Sequence, residues 1–342
     1  MQESLKPRRF ERFRRWVKRV VISFALLISL LAAVGAVYQS VSTARDMRRF
    51  PPPGKLVDVG GHRLHIHCTG AGSPTVVLDS GFDDTMLVWW TIQPEVAKFT
   101  RVCSYDRAGV GWSDAGPAPT HSQRMVAELH TLLKNAGESG PYALVGASFG
   151  GLNARVFASQ YPDETVGMVL VDSMHEDQFA RTSGPKGPPP AWAKKLARGV
   201  GWLGGTTGLG RILGSPATNL AVPPEVKPMA YAVALRTEAY TAATKIEGFQ
   251  CLDQARATRR SDGQPPLGDK PLVAPTHGKR GELGATDSDE RAWVEMQEEL
   301  ARLSSNSKRL SLEKSGHLIA LDQPEAVVEA IRHVVPPQGK KQ

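Results

Sequence analysis

Hydrophobic residues follow two different patterns along this chain. Near the N-terminus, residues 20–38 (VVISFALLISLLAAVGAVY) form an apolar run of 19 residues without a charge. As a helix at 1.5 Å per residue, this run would be roughly 28 Å long, about the thickness of the hydrocarbon layer of a bilayer. Beyond residue 54, short apolar runs alternate with longer stretches at helical spacing. The first pattern predicts a membrane-spanning helix, and the second predicts a globular domain.

Eight short runs rich in apolar and β-branched residues predict strands. They cover residues 55–59, 63–68, 75–79, 101–105, 142–145, 167–172, 271–274 and 308–312. Helical stretches lie between several of them, at residues 121–135, 151–161, 287–304 and 323–334. Apolar strands that alternate with helices favour an α/β fold, a mostly parallel sheet with helices on both faces. Gly60 and Gly61 separate the first two strands, which are therefore predicted to form a hairpin and an antiparallel edge.

Residues 173–269 interrupt this alternation, because they contain no convincing strand. Gly and Pro cluster at residues 184–190 and 199–210, and helix-like stretches lie at 191–198 and 226–257. A long insertion between two sheet strands predicts a mostly helical cap. Five large apolar residues of the insertion are expected to pack in the core of the cap, with contact to a membrane or to an acyl chain as the alternatives: Trp192, Trp202, Leu203, Ile212 and Leu213.

The net charge of +8 is concentrated in one short segment. Residues 1–19 hold eight Lys or Arg and two Glu, and so contribute +6 of it. The remaining chain carries only +2, so no basic face for nucleic acid is expected. By the positive-inside rule, residues 1–19 form a cytoplasmic tail and the domain beyond residue 38 lies outside the cytoplasm.

A cleaved signal peptide is the alternative to a membrane anchor, because Val34-Gly35-Ala36 resembles a cleavage site with small residues. Either reading places the domain outside the cytoplasm. Residues 39–54 end in Phe50-Pro51-Pro52-Pro53-Gly54, and consecutive prolines cannot continue a helix. The expected organisation is a tail (1–19), a transmembrane anchor (20–38), a linker (39–54), a core (55–172 and 270–336), a cap (173–269) and a C-terminal tail (337–342).

A candidate nucleophile stands in the segment Gly146-Ala147-Ser148-Phe149-Gly150. A Gly-x-Ser-x-Gly pattern is common by chance, but this one follows a predicted strand and precedes a predicted helix. A serine on such a sharp strand-to-helix turn is exposed to substrate, and its backbone is strained. The helix N-terminus below it and the N–H of Phe149 favour negative charge beside Ser148.

A serine hydroxyl needs a base, and His317 is the best candidate among nine histidines. It lies directly after the last predicted strand, in the loop Ser315-Gly316-His317, at the strand edge where ligands gather in parallel sheets. His175 and His277 are weaker rivals in other loops.

The carboxylate that would orient the base is less certain from sequence. Asp172, at the end of the strand after the nucleophile helix, is the favoured choice. Asp287, Glu282 and Asp289 are the alternatives, in the loop after the strand at 271–274. Asp287 also resembles a helix N-cap, with Glu290 three residues later.

The strand at 75–79 runs into the small-residue turn Ser80-Gly81-Phe82. We expect the backbone N–H of Phe82 to join that of Phe149 in an oxyanion hole. Gly199-Val200-Gly201-Trp202-Leu203-Gly204 matches a dinucleotide-binding pattern, but it follows no strand, so no such cofactor is expected.

The order of these motifs resembles the α/β-hydrolase fold family, and most closely its esterase, lipase and peptidase branches with a helical cap. The resemblance covers roughly residues 55–335 and includes Asp106-Arg107-Ala108-Gly109-Val110-Gly111-Trp112-Ser113 and Gln323-Pro324-Glu325. Two departures stand out: Ser80 replaces the histidine of many relatives, and the loop after 271–274 lacks the usual aspartate. Serine at position 148 argues against the branches that open epoxides or cleave carbon–halogen bonds.

The resemblance implies an eight-stranded sheet and a serine hydrolase that cleaves carboxylic esters through Ser148, His317 and Asp172. An acyltransferase or peptidase with the same triad, and a non-catalytic binding protein on this fold, are the alternatives. The implied substrate is a small-molecule or lipid-like acyl compound, with no metal and no organic cofactor. The strand order of the family would place Cys68 and Cys103 on neighbouring strands, where a disulfide is possible outside the cytoplasm. The sequence does not indicate the oligomeric state.

Overall fold

The computed structural model describes residues 6–213, 222–279 and 286–335. The chain begins with one long helix, α1 (Lys6–Arg49). Within the described residues, this is the one helix long and apolar enough to cross a membrane, and its most apolar window is not buried against the rest of the protein. The predicted span is therefore a candidate transmembrane segment.

The helix α1 continues well beyond the predicted span, so the expected linker at 39–54 is helical as far as Arg49. Only the Pro-rich end of that segment leaves the helix, as the prolines require. The extension is stabilised by contacts that the sequence pattern does not reveal. The buried Gln39 side chain donates to the Leu235 carbonyl (2.8 Å), and Arg211 bonds Gln39 (2.7 Å) and Asp46 (2.6 Å).

An eight-stranded sheet forms the centre of the domain, as the resemblance implies. Its strands are β1 (Lys55–Asp58), β2 (Arg63–Thr69), β3 (Thr75–Asp79), β4 (Val102–Tyr105), β5 (Tyr142–Ala147), β6 (Thr165–Val171), β7 (Leu272–His277) and β8 (Ser307–Leu312). The spatial order is β1-β2-β4-β3-β5-β6-β7-β8. The strand β2 pairs antiparallel with β1 and β4, and all other pairs are parallel. The predicted mostly parallel sheet with an antiparallel edge is confirmed.

Helices cover both faces of the sheet. The bounds of those outside the insertion are α2 (Ile92–Val96), α3 (Ser122–Ala136), α4 (Gly150–Gln160), α11 (Asp287–Ala301), α12 (Ile319–Asp322) and α13 (Pro324–Val334). Successive side chains of a strand point to opposite faces of the sheet, so the sheet has a hydrophobic core on each face. Val77 packs with α3 and α4, whereas Val76 and Leu78 pack with α2 and α13 on the other face. The short helix α2 and the turn at Met86–Trp89 were not predicted.

Residues between β6 and β7 form helices over one edge of the sheet. They are α5 (Gln178–Arg181), α6 (Ala191–Thr206), α7 (Leu209–Leu213), α8 (Lys227–Ala234), α9 (Ala239–Lys245) and α10 (Gly248–Arg256). The helix-like stretch at 226–257 is thus three helices, and α6 is longer than the predicted 191–198. The Gly-rich pattern at 199–204 lies inside α6 and not in a loop after a strand, the context that dinucleotide binding requires.

The large apolar residues of the insertion do not pack in the core of the cap, which corrects the sequence-based expectation. Their exposed fractions are 69% for Trp192, 58% for Trp202, 48% for Leu203, 68% for Ile212 and 80% for Leu213. Helical periodicity predicts that such residues share a face, but it does not determine what covers that face.

The antiparallel edge of the sheet carries a disulfide between Cys68 and Cys103. The two cysteines stand directly opposite each other on β2 and β4, as the strand order of the family implied. The third cysteine, Cys251, is free and buried. A disulfide is typical of proteins in oxidising compartments.

Candidate active site

Ser148 stands on a sharp turn between β5 and α4, with a backbone φ of 49°. Its N–H donates to the Val171 carbonyl (3.0 Å), which fixes the turn to the end of β6. The flanking glycines are needed because the main chain passes so closely. A Cβ on Gly146 would lie 2.5 Å from the Gly150 carbonyl oxygen, and one on Gly150 would lie 2.4 Å from that of Asp79. Glycine at positions 146 and 150 therefore permits this strained turn, because any side chain there would clash with the main chain.

His317 lies beside Ser148, with 3.1 Å between its Nε2 atom and the serine Oγ. The loop that carries it is held by Asp322, whose carboxylate accepts the Gly316 N–H (2.8 Å). The rival His175 is buried elsewhere, among Glu176, Arg259 and Glu299. Of the histidines considered, the structure places His317 next to the candidate nucleophile.

Asp172 lies on the other side of His317, with 2.6 Å between its Oδ2 atom and the histidine Nδ1. It is fully buried and, like Ser148, has a positive φ, of 40°. The strands β5, β6, β7 and β8 are parallel, so their carboxyl ends meet at one edge of the sheet and bring these distant residues together. In the tautomer whose Nδ1–H donates to Asp172, the Nε2 atom carries the lone pair that can accept a proton from Ser148.

Two of the three alternative carboxylates, Asp287 and Asp289, lie at the start of α11. Asp289 is occupied at the start of α11, where its side chain accepts the Thr286 N–H (3.1 Å) and the Ser183 N–H (2.7 Å). Asp287 is the first residue of that helix. Glu282 lies outside the described residues.

The N-cap of α11 is Thr286, so the expected cap at Asp287 is wrong by one residue. Thr286 and Asp289 form a reciprocal capping box. Glu290, the residue expected to complete the cap, instead accepts a hydrogen bond from His277, with 3.1 Å between Oε2 and Nε2.

His277 shares the carboxylate of Asp172 with His317. Its Nδ1 atom lies 2.7 Å from Asp172 Oδ2, and its backbone N–H donates to Oδ1 (3.3 Å). From sequence, His277 was only a weak rival to His317 as the base that activates Ser148. Its position at the carboxyl end of β7, the strand next to β6, was the signal that could have linked it to Asp172.

Asp172 and His277 form a charged pair within this edge of the sheet. Burial alone would raise the pKa of Asp172, but hydrogen bonds from His277 and His317 outweigh it and lower that pKa to about 2. Burial alone would lower the pKa of His277, but its bonds to Asp172 and Glu290 raise it to about 9. The Trp293 indole N–H also donates to Asp172 (2.9 Å). At neutral pH the pair is thus an imidazolium and a carboxylate.

Replacing His277 with glutamine should remove a pH-dependent part of the stability. Because the folded-state pKa of about 9 exceeds the ordinary value near 6.5, the imidazolium stabilises the fold fully below about pH 6.5 and loses that effect as pH rises through 9. The difference in Tm between parent and His277→Gln should be constant from pH 5 to 6.5 and shrink towards pH 10. Thermal unfolding across this range checks it, with the exposed His333→Gln as control. A difference that does not change with pH would contradict the assignment.

The Ser80–Phe82 turn lies against Ser148, since a Cβ on Gly81 would come within 3.8 Å of the serine Cβ. The rings of Phe82 and Phe149 meet edge to face at 5.2 Å. Within the described parts of the chain, the backbone N–H groups of these two phenylalanines donate to no protein acceptor. Both are therefore available to an oxygen that develops negative charge beside Ser148.

Arg107, from the Asp-Arg-x-Gly-x-Gly segment, holds that turn in place. Its buried guanidinium donates to the carbonyls of Ser80 (2.9 Å), Phe82 (3.0 Å) and Gly81, and to Asp79 (2.5 Å). The hydroxyl of Ser80 does not reach the site, because it donates to the Thr85 carbonyl (3.1 Å) and accepts from Trp89 (3.0 Å). The sequence pattern predicted neither the contacts of Arg107 nor those of the Ser80 hydroxyl.

A cavity of about 820 Å³ opens between the sheet edge and the cap. Its inner wall includes Phe82, Asp84 and Arg107, and its outer wall is formed by apolar residues of α6, α7 and α9. Ser148 does not line the cavity itself, but the Gly81–Phe82 turn joins the two. The space is large enough for an organic substrate next to the serine.

Asp172, His277 and His317 have ligand atoms close enough for a metal ion. However, both histidine Nδ1 atoms lie within 2.7 Å of the same carboxylate oxygen. That is the spacing of N–H donors to a carboxylate, whereas ligands of one cation keep further apart around it.

Comparison with known proteins agrees with this architecture. The family model for the alpha/beta hydrolase fold matches residues 74–230. The uncharacterised protein YqjL of Bacillus subtilis is 24% identical over 82% of this chain and 91% of its own length. An uncharacterised vacuolar membrane protein of Saccharomyces cerevisiae is 36% identical, but the match spans 34% of this chain and 21% of that protein. A thermophilic esterase from Thermogutta terrifontis is 26% identical, with a TM-score of 0.58 over 81% of this chain and 96% of the esterase.

Proposed function

Because this chain has the α/β-hydrolase fold, we propose that it is a membrane-anchored serine hydrolase that cleaves carboxylic esters. The observation that carries this function is the connected series Ser148–His317–Asp172, with contacts of 3.1 and 2.6 Å. Serine, histidine and carboxylate in this order activate a hydroxyl for acyl transfer. The similarity to an esterase supports esters as the substrate class.

In the proposed mechanism, His317 Nε2 takes the proton of Ser148 while the serine Oγ attacks the ester carbonyl carbon. The N–H groups of Phe82 and Phe149 stabilise the resulting oxyanion. His317 then gives the proton to the alkoxide oxygen of the leaving group, and the alcohol departs. Water then hydrolyses the acyl-enzyme. His317 takes a proton from the water while the water oxygen bonds to the acyl carbon; the bond between that carbon and Ser148 Oγ breaks, the carboxylic acid leaves, and His317 returns the proton to the serine. Asp172 holds the imidazole and stabilises its charged form.

We place this activity outside the cytoplasm, with α1 as an uncleaved single-pass anchor. Three observations support it: the basic residues precede the apolar run, the domain contains a disulfide, and α1 continues as one helix from the apolar run to contacts with the domain. Signal-peptide cleavage at 34–36 would remove the anchor but would leave the domain on the same side.

Covalent labelling with a fluorophosphonate tests this function directly. We expect the full-length protein in detergent micelles to be labelled and the Ser148→Ala variant to remain unlabelled, because the probe captures only an activated serine. The His317→Ala variant should label at least a hundredfold more slowly. A folded parent that does not react would exclude an activated serine and favour a binding protein on this fold.

A further inference from the structure

The helix α6 presents its apolar side chains outward. Trp192, Leu196, Val200 and Leu203 recur at helical spacing along one face, with exposed fractions of 69, 60, 62 and 48%. On another side, Lys194, Arg198 and Gly201 contact the segment that includes α9. A helix on the surface of a water-soluble protein has the reverse arrangement.

The packed face of α6 shows that this orientation is specific. Lys194 forms an ion pair with Glu247, and Arg198 donates to the Thr244 carbonyl (3.2 Å). A Cβ on Gly201 would lie 2.4 Å from the Tyr240 carbonyl oxygen, so the helix cannot approach the domain this closely with a larger residue there. The helix is therefore fixed with Trp192 and Leu196 exposed on its outer side, while Val200 and Leu203 are exposed and also border the cavity.

The exposed apolar surface continues into α7. We call the combined surface the outer cap face; it consists of Trp192, Leu196, Val200, Trp202, Leu203, Leu209, Ile212 and Leu213. Large exposed apolar surfaces mark contact with a partner protein, a ligand or a membrane.

The outer cap face lies beside the end of the candidate transmembrane segment. A Cβ on Gly35 would come within 2.2 Å of the Thr207 carbonyl oxygen, and one on Gly208 within 3.0 Å of the Tyr38 ring. Thr207 and Gly208 form the turn between α6 and α7. Gly35 stands three residues before the end of the apolar run, about 4.5 Å along the helix axis. When α1 crosses a bilayer, this turn is therefore at the level where the hydrocarbon layer ends.

The rim of the cavity and the outer cap face share residues. Val200, Leu203, Leu209 and Leu213 are exposed, and they also line the cavity. The opposite end of the cavity reaches Phe82 and Asp84, next to Ser148. An apolar path thus leads from the level of the bilayer surface to the candidate oxyanion hole.

We propose that the outer cap face lies in the bilayer surface and that the substrate is a membrane lipid ester whose acyl chain enters the cavity between α6, α7 and α9 directly from the membrane. This inference rests on the proposed ester hydrolysis at Ser148. The lipid is chosen as occupant because the face adjoins the membrane-crossing helix. Its long acyl chain would follow the apolar rim, while the ester group stops at the N–H groups of Phe82 and Phe149.

A fluorescent label tests the docking without any use of activity. Ile212→Cys in the full-length protein can be labelled with a nitrobenzoxadiazole dye, because Cys251 is buried and the other two cysteines form a disulfide. In phosphatidylcholine vesicles, nitroxide-labelled lipid should quench this dye and aqueous iodide should not. The control is Lys308→Cys, which is exposed near the amino end of β8. A dye at this position should be quenched by iodide and not by nitroxide-labelled lipid. Quenching by iodide at both positions would overturn the docking.

Kinetics on two substrates separate docking from catalysis. In Trp192→Glu and Ile212→Glu, we expect kcat/KM for a long-chain ester embedded in vesicles to fall at least tenfold, while that for a water-soluble short-chain ester stays within twofold. Lys308→Glu, the charge control, should change neither. Equal losses on both substrates, or no loss on either, would overturn the membrane route. A parent that hydrolyses neither ester would instead refute the proposed function, and the quenching result would still decide the docking.

Narrowing the cavity should shorten the acyl chain that the protein accepts. Gly204 lines the cavity, and a Cβ there would meet no other atom within 4 Å. Gly204→Leu therefore projects a side chain into free space without a clash, and leucine favours the helix more than glycine does. Across a series of 4-nitrophenyl esters, the ratio of kcat/KM for the longest chain to that for acetate should be at least tenfold lower in the variant than in the parent. An unchanged chain-length profile would contradict acyl binding in this cavity.

Discussion

Replacing Ser148 with alanine should lower the rate of ester hydrolysis by about five orders of magnitude, to the level that binding and the oxyanion hole alone can provide. The alanine removes the hydroxyl that lies 3.1 Å from His317 Nε2 and leaves the turn in place, because the flanking glycines still permit it. The measurement is kcat for a soluble short-chain ester, determined for parent and variant in the same detergent.

Folding of the Ser148→Ala variant is the necessary control, and its Tm should match that of the parent or exceed it. Alanine at a φ of 49° has the same backbone strain as serine, so little change in stability is expected. Retention of more than a hundredth of the parent rate would rule out Ser148 as the nucleophile.

Asp172→Asn has the second largest expected effect, a loss of about 10⁴-fold in kcat. Asparagine replaces one carboxylate oxygen with an NH2 group, which donates. When that group lies at the Oδ2 position, it donates to His317 Nδ1 and favours the tautomer that cannot accept a proton from Ser148. The variant should also be less stable at pH 7, because the charged His277 then lacks its main counter-charge. Hydrolysis of a soluble ester and thermal unfolding measure the two effects.

The alternative carboxylates provide the matched controls for this variant. Asp287→Asn and Asp289→Asn should keep kcat within about threefold, since they lie at the start of α11. Asp289→Asn should lower the Tm slightly, because it weakens the capping box with Thr286. A large loss of kcat in either control, with Asp172→Asn active, would assign the acid to the loop after β7.

Local patterns were sufficient for part of the candidate site. Ser148 is recognisable because a strand, a glycine-flanked turn and a helix follow each other within a few residues. His317 follows its strand directly, so position alone identifies it. The sequence favoured Asp172 over Asp287 and Asp289 but did not exclude either alternative, because the choice depends on which strand end packs against the His317 loop. That is a long-range contact, and the hydrophobic pattern does not encode it.

Two other features depended on contacts that no local pattern contains. The role of His277 follows from the pairing of β6 with β7, which brings its ring to Asp172 across 105 positions of sequence. The helical extension of α1 to Arg49 follows from polar contacts of Gln39 and Asp46 with Arg211. The apolar pattern at 20–38 correctly predicted a helix, and its crossing of a membrane stays a prediction.

The fastening of α1 to the cap by Arg211 has a consequence for how the protein would meet its substrate. A domain on a flexible tether samples all orientations, and most encounters with a lipid are then unproductive. Here the guanidinium bonds Gln39, Thr43 and Asp46 along one side of the helix, so the cap turns only together with the anchor. With α1 in a bilayer as proposed, such a protein would search by lateral diffusion in two dimensions, with the cavity rim always towards the leaflet. Its rate would follow the mole fraction of the ester in the bilayer and not the bulk concentration.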